Sequence, residues 1–248
     1  MTAEGVAPLL CVEELDVSYG PLQVLFGVDL HVDRGESVAL LGTNGAGKST
    51  VLKTISGLLA PSRGRILFDG SDITGLAADR RVGLGIVQMS GGHSTFPSLT
   101  VEENLRLGGY PFFGDRARID AGVAETLDLF PELAGKMQQQ AGTLSGGEQQ
   151  MMALGRALIA GPELLVIDEL SLGLAPVVAG RILQVVDRLR ERSMTMLVVE
   201  QSINVAAEIS DRAYFLEKGE VRYQGDTAEL LDRGDLARSV FFGSGAAV

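Results

Sequence analysis

The sequence predicts an α/β fold built around a mainly parallel sheet. Two apolar runs, Leu164–Ile167 and Thr195–Val199, are continuous rather than alternating, which is typical of strands buried on both faces. A third run, Ser37–Leu41, is followed by a glycine-rich loop and then by a helical pattern. Because strands alternate with helices along the chain, we expect a parallel sheet that binds its ligand at the carboxyl ends of the strands.

An antiparallel β-subdomain is predicted ahead of the glycine loop. Leu9–Val17 and Gly27–Val32 alternate apolar and polar residues, as half-buried strands do. Gly64–Gly70 adds a further strand and turn after the loop.

A helical insertion is predicted in the middle of the chain. Thr100 and Glu103 fit a capping box, and a second helix is expected over about Ile119–Leu129. We therefore expect one domain, 1–248, in which 89–158 form an inserted α-helical subdomain. The remaining parts, 1–88 and 159–248, form the α/β core with the β-subdomain.

The last third of the chain continues the α/β pattern. Pro176 opens an amphipathic helix, and Lys218 and Gly219 mark the turn of a hairpin. Two short helices are expected near Thr227–Leu231 and Leu236–Phe241.

The composition excludes several classes of protein. The 248 residues include 21 basic and 32 acidic side chains, for a formal charge of −11, which argues against a nucleic-acid partner. No apolar run approaches the ~20 residues needed to span a bilayer, and residues 1–5 do not resemble a secretory leader. One cysteine, Cys11, excludes an internal disulfide. We expect a cytoplasmic protein that reaches a membrane only by docking.

The stretch from Gly42 to Thr50 has the pattern of a phosphate-binding loop between a strand and a helix. Its glycines allow several backbone N–H groups to point at one anion, and the helix adds the positive end of its dipole. Lys48 is placed to reach the outer phosphates, and the Ser49 hydroxyl to hold a magnesium ion. The residues predicted to contact the nucleotide here are Gly42, Thr43, Asn44, Gly45, Ala46, Gly47, Lys48, Ser49 and Thr50.

Two adjacent carboxylates, Asp168 and Glu169, follow the buried run Leu164–Ile167. Unpaired buried charge is costly, so this pair indicates a bound cation. We predict that Asp168 orients Mg²⁺ through its water shell and that Glu169 takes a proton from an attacking water. Two solvated acids at a strand end are the alternative.

A second anion site is predicted at Leu144–Gln150, which precedes another helix. Ser145 and Glu148 fit a capping box, which by itself would explain them structurally. Gly146 and Gly147 then leave bare backbone at the helix start. This chain thus has one acid pair but two predicted anion sites. That count is explained if the second anion site completes the phosphate site of another chain.

These motifs, together with Ser171–Pro176, resemble in order and spacing the ATP-binding subunit of ABC transporters, whose fold is a P-loop NTPase (RecA-like) core. The resemblance implies a head-to-tail dimer that holds two ATP molecules with Mg²⁺. It gives catalytic roles to Glu169, Lys48 and Gln201. Metal contacts would come from Ser49, Gln88 and Asp168. Ser145, Gly146 and Gly147 would contact the γ-phosphate held by the partner, and Glu148 belongs to the same nucleotide-binding motif.

Three further positions are assigned by the same resemblance. Tyr19 matches the aromatic residue that stacks on adenine, and Gln88 matches the glutamine that couples the site to the membrane subunits. Gln201 stands at the switch position, where histidine is usual. Leu170 replaces a common proline, and Ala175 replaces a common aspartate.

Thr100–Leu105, Ser171–Pro176 and Val199–Gln201 resemble the branched-chain amino-acid importer branch of this family. That resemblance implies integral membrane permease subunits, a periplasmic or extracellular solute-binding protein, and a homodimer or a heterodimer with a paralogous ATP-binding subunit. It places the chain on the cytoplasmic face of the membrane. An exporter ATPase and a soluble ABC ATPase without transport function remain as alternatives.

Overall fold

The computed structural model describes residues 7–90, 95–170 and 173–232. In these ranges the chain forms two sheets and two groups of helices. The strands are β1 (Leu10–Tyr19), β2 (Leu22–Val32), β3 (Ser37–Gly42), β4 (Arg63–Phe68), β5 (Ser71–Asp72), β6 (Ile86–Met89), β7 (Leu164–Asp168), β8 (Met196–Val199), β9 (Arg212–Glu217) and β10 (Glu220–Asp226).

Eight α-helices lie between or after these strands in the described part of the chain. They are α1 (Lys48–Ile55), α2 (Ala78–Gly83), α3 (Val101–Leu107), α4 (Arg116–Leu129), α5 (Gly146–Ile159), α6 (Pro176–Glu191), α7 (Ile203–Ile209) and α8 (Thr227–Asp232). Short 3₁₀ helices span Tyr110–Phe112, Pro131–Lys136 and Ala141–Thr143. The helix expected near Leu236–Phe241 lies outside the described residues.

The larger sheet has six strands in the order β10–β9–β3–β8–β7–β6. Its strands run parallel from β9 to β6, and β10 pairs antiparallel at the edge. Every residue of β3 and β8 is buried, which explains their unbroken apolar runs. The smaller sheet is antiparallel, in the order β2–β1–β4–β5. The predicted fold class is confirmed.

The helices between β6 and β7 share one core with the large sheet. Leu105 of α3 and Met152 of α5 belong to the same buried cluster as Ile167 of β7 and Val198 of β8. Both predicted capping boxes are present, at Thr100 with Glu103 and at Ser145 with Glu148. Local capping and a continuous core therefore fix where these helices begin and what they pack against.

One short helix that the sequence did not predict, α2, depends on a buried arginine. Its N-cap, Ala77, makes no side-chain capping bond. Arg81 is 1% exposed and donates from Nη1 to the carbonyls of Thr54 (2.7 Å) and Ile55 (2.8 Å), at the end of α1. Periodicity cannot reveal an element held by such a distant contact.

A half-buried polar network around Arg212 of β9 joins the large sheet to β2 of the small sheet, because Arg212 Nη2 donates to His31 O at 2.9 Å. Arg212 donates to both carboxylate oxygens of Glu36, at 2.8 and 2.9 Å, and to the hydroxyl of Tyr214 at 2.6 Å. Burial opposes ionisation of Glu36. The hydrogen bonds from Arg212 and from the Asp33 backbone outweigh it, so the pKa of Glu36 lies below its ordinary value of 4.5. The ion pair therefore stabilises the fold when Glu36 is charged.

We predict that Glu36→Gln lowers the free energy of unfolding by about 2 kcal/mol at pH 7, because Arg212 loses its charged partner. Since folding lowers the pKa of Glu36, the stabilisation by its charge is fully present above pH 4.5. That stabilisation is lost as the pH falls through the pKa of Glu36 in the folded protein. Urea unfolding at a series of pH values should show the two proteins converging in acid.

The matched control is Glu220→Gln, which breaks an exposed pair with Arg222 on β10. We expect that change to cost less than about 0.5 kcal/mol at any pH. Equal costs for the two variants would contradict the assigned role of Glu36.

Candidate functional site

The predicted phosphate loop lies at the carboxyl end of β3, where α1 begins. Gly47 is the N-cap of α1, with φ +108° and no side-chain capping bond. A Cβ at Gly47 would lie 2.6 Å from Leu25 Cδ2 of β2, so only glycine fits. The start of α1 is thus left without a capping side chain, as an anion-binding helix start requires.

Lys48 is held inside this loop. Its side chain is buried, and Nζ donates to the carbonyls of Gly42 (2.7 Å) and Thr43 (3.1 Å). Burial lowers the pKa of Lys48, and nearby carboxylates act in the opposite direction, namely Glu169, Asp168 and Glu200. The ammonium is therefore positioned by the loop backbone within the field of three acids.

Asp168 ends β7, next to the loop. Burial, the largest influence, raises the pKa of Asp168 above its ordinary value, while a hydrogen bond from the Ser49 hydroxyl acts in the opposite direction. Its Oδ1 is buried and has no hydrogen-bond partner among the described residues. An unpaired buried carboxylate oxygen beside a hydroxyl is an arrangement that a hard cation would satisfy.

Gln88 supplies a second oxygen of this kind. Gln88 lies in β6, one residue before the strand ends at Met89, and it pairs with Val166 of β7. Its Oε1 is buried without a partner in the described part of the chain. The three residues predicted to hold the metal, Ser49, Gln88 and Asp168, all offer oxygen atoms, which are the ligands that Mg²⁺ prefers. No group of three His, Cys, Asp or Glu residues suited to a metal occurs among the described residues.

Glu169 is held in a strained position by its neighbours. Its φ is +49°, a left-handed conformation that costs of order 1 kcal/mol for a residue with a side chain. Its N–H donates to Val199 O at 3.0 Å, and Gln201 Nε2 donates to Glu169 Oε1 at 2.6 Å. The sequence predicted both residues at the site but not that they bind each other.

Gln201 also faces the phosphate loop. Together with Gly42, Thr43, Asn44 and three apolar residues, it lines a cavity of about 240 Å³. Gln201 therefore lies between the loop and Glu169. Tyr19, by contrast, lies at the end of β1 with 44% of its surface exposed.

Ser145 to Glu148 form the start of α5. The Ser145 hydroxyl accepts from the Glu148 N–H at 3.4 Å, and Glu148 Oε2 accepts from the Ser145 N–H at 3.0 Å. Gly146 is exposed, whereas Gly147 packs so closely on α6 that a Cβ would lie 2.1 Å from Val178 Cγ1. Within the described ranges, no hydrogen bond joins this helix start to the phosphate loop.

Sequence reasoning missed two acidic or basic side chains next to the predicted motifs. Glu200 follows the buried strand β8 just as Asp168 ends β7, and it is 3% exposed. The same signal, a carboxylate after a continuous apolar run, could have identified it. Lys136 forms an ion pair with Glu148, and no sequence signal pointed to that contact. In the predicted motif Ser171–Pro176, Ser171 and Leu172 lie outside the described residues.

Gln88 also lines a groove of about 500 Å³. Phe96 and Tyr110 line it, and both are exposed, at 51% and 76%. Phe113, nearby in sequence, is 91% exposed. In the described part of the chain, no helix combines the length and apolar character that crossing a bilayer demands.

Comparison with known proteins identifies the family. The ABC transporter family model matches residues 25–171. The chain is 42% identical to the high-affinity branched-chain amino acid transport ATP-binding protein BraG of Pseudomonas aeruginosa, over 90% of this chain and 95% of that protein. It is 40% identical to the probable branched-chain amino acid transport ATP-binding protein LivF of Archaeoglobus fulgidus, over 88% and 92% of the two chains.

Solved structures of ATP-binding cassettes also resemble this chain. The ADP conformation of MJ1267, an ATP-binding cassette of an ABC transporter, superposes with a TM-score of 0.83 at 26% identity, over 96% of this chain and 100% of that one. A nucleotide-free ATP-binding cassette from an ABC transporter gives 0.82 at 26% identity, over 93% and 98%. The chain therefore belongs to the ABC transporter family, as one of its ATP-binding subunits.

Proposed function

We propose that this chain hydrolyses ATP to drive an importer of branched-chain or related amino acids. The names of the two relatives above support the solute class. The observation that carries the catalytic part is the meeting of Lys48, Asp168, Glu169 and Gln201 at the carboxyl ends of three adjacent strands, β3, β8 and β7.

The phosphate loop would hold the nucleotide. The uncapped start of α1 offers N–H groups to the phosphates, and Lys48 offsets their charge from inside the loop. Tyr19 would stack on the adenine from the end of β1. The nucleotide contacts we propose are those of the loop, Gly42, Thr43, Asn44, Gly45, Ala46, Gly47, Lys48, Ser49 and Thr50.

Mg²⁺ would be held by Ser49, Gln88 and Asp168, whose oxygens suit it. When bound, the ion supplies positive charge that balances the phosphates and the surrounding acids. Two of the three residues present buried oxygens that lack a partner among the described residues.

Glu169 would act as the general base. It accepts a proton from the water that attacks the γ-phosphorus, and the bond from the γ-phosphorus to the bridging oxygen breaks to give ADP and phosphate. Gln201 donates to one carboxylate oxygen of Glu169, Oε1, at 2.6 Å, and the other oxygen, Oε2, would accept the proton. An amide cannot become an imidazolium, so Gln201 orients groups without exchanging protons.

The start of α5 would complete the site of a second chain. Ser145, Gly146, Gly147 and Glu148 make no hydrogen bond to the phosphate loop within the described part of one chain. Two chains arranged head to tail, identical or paralogous, would bring each helix start to the partner's γ-phosphate. This arrangement uses both anion sites.

The whole chain would act as a single nucleotide-binding domain, with 89–158 as its helical subdomain. The groove beside Gln88 would receive a cytoplasmic segment of a permease subunit, because exposed aromatic rings line it next to a proposed metal ligand. This docking places the chain on the cytoplasmic face of the membrane. A solute-binding protein outside the membrane would deliver the amino acid, and no nucleic acid takes part.

We predict that Lys48→Ala and Glu169→Gln fail at different steps. Removing Lys48 takes away phosphate stabilisation, so ATP affinity and turnover should both fall, each by at least about tenfold. Glu169→Gln keeps the shape of the base but not its proton affinity, so ATP binds normally while turnover falls about a hundredfold or more. Equilibrium binding of a labelled ATP and steady-state phosphate release measure the two quantities.

Each variant is the control for the other, because Lys48→Ala is expected to weaken ATP binding and Glu169→Gln is not. Turnover by the Glu169→Gln protein at the normal rate would show that Glu169 is not the base. Normal ATP affinity after Lys48→Ala would remove the proposed role of that lysine.

We also predict that the Glu169→Gln chain, loaded with ATP and Mg²⁺ in solubilised membranes, co-purifies with many-span permease subunits. Tyr110→Ser with Phe96→Ser should reduce this recovery about tenfold while leaving ATP binding intact, because both rings are exposed and line the groove. Leu58→Ser, which removes another exposed apolar side chain (64%), is the control. Recovery of ribosomal or nucleic-acid partners alone would contradict the transport function.

A further inference from the structure

The start of α5 carries a negative charge that would oppose its proposed partner. Glu148 is the third residue of the helix, and its Oε2 accepts from the Ser145 N–H at 3.0 Å. A carboxylate in this place stabilises the helix, since it faces the positive end of the helix dipole. It also cancels much of the positive potential that a γ-phosphate would meet there.

Lys136 removes this conflict. Its Nζ forms an ion pair with Glu148 Oε1, while Oε2 remains on the backbone of Ser145. The hydrogen bond from Lys136 is the largest of the influences that lower the pKa of Glu148, so the carboxylate stays charged and capped. With the ammonium added, the group of charges at the helix start is again net positive.

The backbone holds Lys136 where this contact requires it. Lys136 ends the 3₁₀ helix Pro131–Lys136, which we call the linking segment. Leu133, in the middle of the linking segment, is completely buried, and the Gln139 N–H donates to Lys136 O at 2.8 Å. Lys136 is therefore not a free surface side chain that happens to lie near an acid.

The opposite end of the linking segment is tied to α6. Arg181 donates from Nε to Glu132 Oε1 at 3.1 Å and from Nη2 to Leu129 O at 2.9 Å. The start of α5 also contacts α6 directly, through the close packing of Gly147 on Val178. The position and the charge of the helix start are thus both set by its neighbours.

We propose that Lys136 is a positioning residue for the second chain's phosphate, acting by neutralising Glu148 at the start of α5. The inference rests on the head-to-tail pairing in the proposed function. It deepens that pairing, because it names a side chain outside the recognised motifs that the shared site needs. Lys136 itself touches neither nucleotide nor metal.

The test measures ATP-driven dimerisation of the full-length Glu169→Gln chain by sedimentation, with Mg²⁺ present. Adding Lys136→Gln should raise the protein concentration needed for half dimerisation by at least about tenfold, since both sites of the dimer lose positive potential. ATP affinity of the monomer, measured at low protein concentration, serves as the reference. Arg63→Gln, which breaks an exposed pair with Glu14 on the antiparallel sheet, should leave dimerisation unchanged.

Two further variants separate charge from folding. Lys136→Arg should restore dimerisation, because it keeps the cation. Lys136→Gln with Glu148→Gln should dimerise better than Lys136→Gln alone, because no uncompensated carboxylate remains at the helix start. A purely structural role would make the double variant worse than either single one.

Any other result would overturn the inference, and the pattern of results shows which part of it is wrong. Dimerisation of Lys136→Gln equal to that of its parent removes the role of Lys136 and leaves the pairing intact. Weak dimerisation that neither Lys136→Arg nor Glu148→Gln relieves assigns Lys136 to folding instead. A parent Glu169→Gln chain that stays monomeric with ATP and Mg²⁺ contradicts the pairing, and this inference with it.

Discussion

The parallel pairing of β8 with β3 on one side and β7 on the other brings the proposed catalytic groups together. Val199 lies opposite Leu40 of β3 and also opposite Asp168 of β7. Its carbonyl accepts from the Glu169 N–H at 3.0 Å, and Gln201 follows two residues later. One buried strand thus sets the relative positions of the predicted phosphate loop, the acid pair and Gln201.

This edge of the sheet concentrates charged and polar side chains. A buried ammonium, Lys48, sits among the carboxylates of Asp168, Glu169 and Glu200. Oxygens of Asp168 and Gln88 are buried without partners among the described residues. A polyanion brought with a divalent cation would satisfy the loop, the lysine and these oxygens together. The geometry therefore favours the nucleotide and the metal as one ligand.

Much of this arrangement is predictable from the sequence, because local patterns encode it. The phosphate loop, both capping boxes and the buried strands depend on residues within a few positions of each other. The contacts that join distant segments were not predictable. Gln201 reaches Glu169 across 32 residues, and Arg81 reaches Thr54 across 27.

Some residues also have a second role that their pattern conceals. Gly147 fits a bare helix start in the sequence, but in the fold its missing Cβ also makes room for Val178. Glu148 fits a capping box, yet its negative charge would repel an approaching anion unless Lys136 neutralises it. Local rules identify the motif, whereas the neighbours that make it work come from tertiary packing.

The central claim is that one site takes its phosphate loop from one chain and its α5 start from another. Mixing two defective chains tests it most directly. One chain carries Lys48→Ala, and the other carries Gly146→Asp, at an exposed glycine where an added Cβ would meet only Leu174, at 3.9 Å. Mixed dimers then contain one site with both halves intact. The account predicts that the mixture hydrolyses ATP well above the average of the two separate proteins, and a mixture no better than that average would contradict it.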